Sequence, residues 1–485
     1  MSYKPIKYVA LVALVLPAFL SAVAKNGADI KNAVVRVEVV SQAPNYTDPW
    51  KMNTDVSGSG SGCVIASNHI LTSAHLIANQ IYIKVQKAGD AEKYTAEVEF
   101  VAHDCDLALL KVKDPKFFKD VTSIGMGTLP KEGDKVNVFG FPSGGSKISV
   151  TQGVVSRIEM GIYSHSLKKL LNIQIDAAIN SGNSGGPVLL NGRLAGIAFQ
   201  VQKDSENIGY IIPVPIIEHF LRDISDGRYD GFPTLGIQFQ DLESPAMRSF
   251  LKMKEKQTGV YIRSVDYGSS AWGAIEEGDV LLALDGVPVA NDGSVEFAEK
   301  ERIDCTYLLN RFQAGDSFRV TLLRGGVEMD KALTLRLPER LVPFYIYDRT
   351  PDYLIFAGLV FMPVTLDYLQ IWGVNSAPTE LAYMYKYGKS RKDYSQVVVL
   401  NKVLAHDFNE GYQNLSDMIV TRVNGQAIGR LADVAAAFSA PRDSFHLVEL
   451  ANGYKIILDA AGVEKAHKEI LAKYKIPKDR SDNLK

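Results

Sequence analysis

Asn180-Ser181-Gly182-Asn183-Ser184-Gly185-Gly186-Pro187 stands between two β-type runs, Ile173–Ile175 and Val188–Leu190. A serine flanked by glycines sits on a tight turn whose backbone N–H groups can point at a reacting carbonyl, because glycine permits unusual φ and close approach. Ser184 is therefore the candidate nucleophile. A hydroxyl needs a neighbouring base, and Thr72-Ser73-Ala74-His75, just after the apolar Ile70-Leu71, supplies His75 at a strand end. The base in turn needs a carboxylate to hold its tautomer. Asp106, opening the apolar run Asp106–Leu110, is the first candidate, and Asp104 stays open as an alternative. His69, in the turn before its strand, is expected to face solvent, and His103 merely precedes the run.

Working outward, Asn32 to Val214 reads as short apolar, β-branched runs broken by Gly, Ser, Asn and Asp, which suggests an all-β barrel or sandwich. Pro215 and the apolar spacing behind it predict one closing helix. Asp226–Pro233, rich in Gly, Asp and Pro, is the first linker. The expected division is a leader over 1–24, a catalytic unit over 25–225, two α+β units over 234–340 and 345–460, and a charged helix and tail over 461–485. The two α+β units share a buried strand followed by Asp285-Gly286 in one and Asn424-Gly425 in the other, the pattern of a distant duplication.

The whole chain of 485 residues, 46% hydrophobic and 22% charged, can bury large cores in about three domains. Lys+Arg of 53 against Asp+Glu of 55 removes the broad field expected of a nucleic-acid binder. Cys63, Cys105 and Cys305 are too few for a disulfide-built fold and are expected to be buried thiols. No histidine pairs carry metal spacing, and neither a metal nor a cofactor is expected. Lys4 and Lys7 precede an uncharged apolar run, Tyr8–Ala24, ending Ala22-Val23-Ala24, the pattern of a secretory signal peptide cleaved after Ala24. No other stretch is long and apolar enough to span a bilayer. Export with few cysteines points to a periplasm.

Gly60-Ser61-Gly62, Leu71–His75, Asp106–Leu110, Gly153-Val154-Val155-Ser156 and Gly182–Pro187 together resemble the Deg/HtrA (Do-like) serine proteases. The resemblance implies a mainly β fold, a chymotrypsin-like double β-barrel followed by two α+β PDZ domains. It implies His75 as general base and acid, Asp106 as its orienter and Ser184 as nucleophile. The N–H groups of Gly182 and Ser184 would form the oxyanion hole. Ala178 and Ile179 would fall nearest the specificity pocket, which favours cleavage after small or medium aliphatic residues. Leu235-Gly236-Ile237 resembles the loop with which PDZ domains hold a peptide carboxylate, and Gly358-Leu359-Val360 is its counterpart in the second unit. Further implications are a homo-oligomer, trimer or hexamer, and mobile loops including Glu159–Leu171. The tyrosine-rich insert (Tyr383, Tyr385, Tyr387) and the second unit resemble a branch known from plant organelles and nuclei and from some bacteria, where that domain serves assembly. The expected activity is ATP-independent endopeptidase cleavage of misfolded or unfolded envelope proteins. The rival is a chaperone or scaffold that holds such clients with its protease inactive.

Overall fold

The computed structural model describes residues 27–142, 145, 147–201 and 208–484. The expected leader lies outside the described residues. After a short helix, α1 (Gly27–Ala33), six strands close the first barrel: β1 (Val34–Ser41), β2 (Val56–Ile65), β3 (His69–Thr72), β4 (Gln80–Lys87), β5 (Lys93–Ala102) and β6 (Leu107–Val112), in the order β1-β2-β3-β6-β5-β4. Period-two patterning builds it. In β1, Val35, Val37 and Val39 are buried while Arg36 and Glu38 alternate outward. The turn α2 (Ala74–Ile77) crosses from β3 to β4 with Ala74 and Ile77 buried.

The second barrel contains β7 (Lys135–Gly140), β8 (Ser149–Ile162), β9 (Lys169–Ile175), β10 (Pro187–Leu190), β11 (Arg193–Val201) and β12 (Gly209–Pro213), in the order β10-β11-β12-β9-β8-β7. Most of Glu159–Leu171, expected as a mobile loop, is instead the regular ladder of β8 and β9, with only residues 163–168 as its turn. The closing helix α3 (Val214–Asp223) forms as its apolar spacing predicts, with Ile216, Ile217 and Phe220 buried.

The first α+β unit carries α4 (Pro245–Phe250) and a sheet of β13 (Ile237–Asp241), β14 (Val260–Val265), β15 (Val280–Leu284), β19 (Ser317–Arg324) and β20 (Val327–Thr334), with β16 (Val287–Pro288) beside β15. A separate hairpin is made of β17 (Ser294–Ala298) and β18 (Glu301–Asp304). β13 is an edge. Phe220, Phe232 and Leu309 belong to one continuous apolar core, so this unit is packed on the barrels rather than tethered.

The second unit is a sheet of β21 (Leu354–Phe356), β22 (Leu359–Pro363), β23 (Val398–Val403), β24 (Met418–Val423), β26 (Phe445–Leu450) and β27 (Lys455–Asp459), with β25 (Gln426–Ala427) on β24. Helices α5 (Leu366–Leu369), α6 (Thr379–Tyr387), α7 (Leu431–Ala437) and α8 (Val463–Lys473) cover it. The helix expected as part of a tail is part of this core, with Ala466 and Ile470 buried. Asp285-Gly286 and Asn424-Gly425 all have positive φ, as two-residue hairpin turns of type I′ require. Among the described residues no helix is long and apolar enough to cross a membrane.

Candidate active site

The site lies between the barrels. His75 comes from α2, Asp106 from the turn before β6, and Ser184 from the glycine turn before β10. Asp106 is buried at φ 57°, a left-handed conformation that aspartate tolerates better than most residues. Its Oδ1 accepts from the His75 backbone N–H at 2.7 Å, and its Oδ2 lies 2.7 Å from His75 Nδ1. Its carbonyl also accepts from Ala74 N–H at 3.1 Å. A carboxylate can only accept, so Nδ1 carries the proton and Nε2 is left as a base. Burial opposes charging of His75, but the charge and hydrogen bond of Asp106 outweigh it and lift the imidazole above its ordinary value.

Around Ser184 the backbone is held on both sides. Gly182 and Gly185 have φ of 97° and 82°. Gly185 N–H donates to Ala198 O at 2.8 Å and Gly186 N–H to Asn183 O at 2.8 Å. The N–H groups of Gly182 and Ser184 have no acceptor among the described residues. Ser61 N–H donates to Ser184 O at 2.9 Å, and Ser61 Oγ donates to Gly182 O (2.7 Å) while accepting from Phe141 N–H (2.9 Å). Ser61 thus sets the turn from the first barrel. The strand passes close to that turn: a Cβ on Gly60 would stand 3.0 Å from Ser184 O. His75 Nε2 and Ser184 Oγ make no hydrogen bond in this structure, a looseness common before substrate binds.

The competing residues have other partners. Burial alone would raise the Asp104 pKa, but Lys168 Nζ at 2.9 Å holds the carboxyl below its ordinary value. Asp104 also accepts from Phe232 N–H at 3.1 Å and from the Tyr229 hydroxyl, so it anchors the linker rather than His75. His69 is not simply solvent-facing, because Nε2 pairs with Glu99 at 2.5 Å. His103 lies beside Asp348 and His165. The three cysteines are buried and unpaired, and burial pushes the Cys63 thiol up to about 12.

Of the residues expected near the specificity pocket, Ala178 is half-buried, and its carbonyl accepts from Thr151 Oγ1 at 3.3 Å. Ile179 is buried in the second-barrel core, its tip against Gly209. In the first α+β unit, Leu235 O accepts from Ala271 N–H and Gly236 O from Asp266 N–H. The N–H groups of Leu235 and Gly236 have no acceptor among the described residues. Ile237 opens the edge strand β13, opposite Val265. Beside that edge a cleft of about 310 Å³ is walled by Gln238, Arg263 and Asp266 on one side and Leu341, Tyr385 and Lys389 on the other. The equivalent edge in the second unit is covered: β21 pairs along β22, and Ile355 N–H donates to Asp479 O at 2.6 Å. Gly358-Leu359-Val360 therefore cannot accept an added strand there, because the chain's own strand already does so.

Two closed barrels, a buried aspartate on a histidine and a glycine-turn serine braced from the first barrel define a class, the trypsin-like serine endopeptidases, here with two α+β units attached. A trypsin-like peptidase domain matches over residues 60–197 and a PDZ domain over 342–483. "Protease Do-like 2, chloroplastic" of Arabidopsis thaliana is 38% identical over 463 residues, 95% of this chain and 76% of that protein. "Protease Do-like 4, mitochondrial" of the same plant is 36% identical over 447 residues, 92% and 84% of the respective chains. Among solved structures, "HtrA-type protease AlgWS227A with decapeptide" shares the fold at a TM-score of 0.52 and 23% identity, covering 65% of this chain and 98% of its own. The chain belongs to the Do-like (Deg/HtrA) serine protease family. The expected periplasmic location is overturned: the relatives are chloroplastic or mitochondrial by name, and a low cysteine count does not separate one compartment from another.

Proposed function

We propose that His75, Asp106 and Ser184 are the catalytic triad of an ATP-independent endopeptidase acting on misfolded or unfolded chains. The observation carrying this reading is the doubly bonded Asp106–His75 pair, together with a serine on a glycine turn that Ser61 of the same barrel holds. Ser184 Oγ attacks the peptide carbonyl while His75 Nε2 takes its proton. His75 then returns the proton to the leaving amine, and a water activated the same way releases the acyl-enzyme. The N–H groups of Gly182 and Ser184 receive the oxyanion, each such donor contributing roughly 3 kcal/mol of transition-state stabilisation. Ala178 and Ile179, both uncharged, favour small or medium aliphatic residues before the cut. Leu235, Gly236 and Ile237 hold substrate C-termini, which β13 extends as an added strand.

The protein and its Ser184→Ala variant, incubated with casein, test the chemistry. The native protein is expected to cleave and the variant to lose at least about a thousandfold of the rate. Equal survival of casein with both would reject the protease reading, and suppression of client aggregation would then take its place. The reading includes self-association through the protease domains, and a monomer at micromolar concentration in sedimentation would remove that part.

A further inference from the structure

We propose that Asp348, supported by Tyr347, positions the catalytic pair from outside the barrels, by stapling the turn after the His75 helix to the turn before Asp106. The inference rests on the triad reading above.

Asp348 opens the second unit, yet its bonds are to the first barrel. Its N–H donates to Asn79 Oδ1 at 2.8 Å, and Asn79 N–H donates back to Asp348 Oδ1 at 2.5 Å. Asn79 follows α2, which ends at Ile77 and carries His75. The other carboxylate oxygen, Oδ2, lies 2.7 Å from His103 Nε2, and His103 shares a short turn with Asp106. One side chain therefore bridges the two segments whose spacing sets the His75–Asp106 hydrogen bond. Asn79 and Asp348 both have left-handed φ, 56° and 61°, so the reciprocal contact has a specific backbone geometry.

A row of rings continues the staple toward the base. His103 Nδ1 lies 2.9 Å from His165 Nε2. Tyr347 stacks on His165 with centroids 4.1 Å apart and donates its hydroxyl to the His165 carbonyl at 2.8 Å. The His165 ring is in turn 6.1 Å from that of His75. One set of tautomers satisfies the row: His103 Nε2–H donates to Asp348, and His103 Nδ1 accepts from His165 Nε2–H. Burial holds His165 down to about 4, and burial of Asp348, which alone would raise its pKa, is outweighed by the His103 bond. The second unit is fixed to the same barrel region by Lys402 on Asp48 (2.7 Å) and by Trp50 edge-on to Tyr353. Docking of that unit is thereby felt at the base, where a displacement of about 1 Å can cost on the order of 100-fold in rate.

The test uses the full chain and a short internally quenched peptide with an amidated C-terminus, which needs no recruitment by the α+β units. Asp348→Ala and Asn79→Ala are expected to lower kcat roughly 10- to 100-fold with KM within about twofold. Both should shift or broaden the downfield proton resonance of the His75–Asp106 hydrogen bond, and Asp348→Asn, which keeps an acceptor for Asn79 but offers none to His103 Nε2–H, should give a kcat between those of the native protein and Asp348→Ala. Native kcat and an unmoved resonance in both alanine variants would overturn the proposal, as would a rise in kcat, which would make the segment a block. Should Asp348→Ala fail to fold, Asn79→Ala weakens the same bridge from the barrel side, removing the acceptor of the Asp348 N–H while the Asn79 N–H stays on Asp348 Oδ1. Ser184→Ala in the same assay separates the two readings. If it cleaves like the native protein the triad has failed, whereas if it alone is inert only the staple has.

Discussion

At the scale of single residues, the site depends on which proton His75 holds. Its pKa is raised, so the neutral form that would serve as base in the proposed triad appears only as pH climbs through a value above the ordinary 6.5. The acid limb of kcat/KM on a short peptide is predicted to fall above pH 6.5, and a limb centred below pH 6 would contradict the Asp106 contribution. Gly185 makes a second residue-scale case. It has φ 82°, and a Cβ there would run into Ser61 O and Thr72 Oγ1. Gly185→Ala should therefore destabilise by more than about 2 kcal/mol in urea titration and lose activity with it. The Asp106–His75 pair that the structure brings together was legible from sequence because a base needs a carboxylate to orient it. Ser61 was not, because its hydroxyl acts on the Gly182 carbonyl, a partner distant along the chain and adjacent only once two barrels meet.

Among the elements, two corresponding strands differ in availability. β13 is an edge with the free N–H groups of Leu235 and Gly236 at its start, whereas β22 is covered by β21. Peptides ending in a free carboxylate should bind the full chain, and amidation should weaken them roughly tenfold or more, since charge-assisted hydrogen bonds contribute about 1.5–3 kcal/mol. Isothermal titration with matched free and amidated peptides reads this directly; equal affinities would rule out the Leu235–Ile237 loop as the carboxylate site. Alternating apolar residues and the Asp-Gly and Asn-Gly turns made both sheets legible in the sequence. What covers an edge was not, because a strand's period reports which face is buried and says nothing about which neighbour pairs with its rim.

Across the whole molecule, the units share surfaces that a chain of linked domains would not suggest. His219, on the helix that closes the second barrel, is buried, donates Nδ1–H to Asn310 O at 3.1 Å and stacks on Phe232 at 3.7 Å, joining the peptidase to the first α+β unit. Burial pushes it down to about 4. An unfolded chain takes up that proton near 6.5 and the folded one only near 4, so the contribution is intact above pH 6.5 and is lost as pH falls from 6.5 to 4. The loss is at most roughly 3 kcal/mol. His219→Gln should flatten the difference between urea midpoints at pH 7 and pH 4.5, and an unchanged difference would place the acid sensitivity elsewhere. The sequence by itself determined the local pattern: a serine on a glycine turn, a histidine at a strand end, an aspartate opening an apolar run, β-rich barrels and two related sheets, all set by neighbours within a few residues. Only the tertiary structure decided that Asp104 serves the linker, that β22 is closed, and that Asp348 joins Asn79 to His103. Those outcomes depend on side chains far apart in sequence meeting across packed surfaces, where burial and hydrogen-bond partners are properties of the fold and not of the segment.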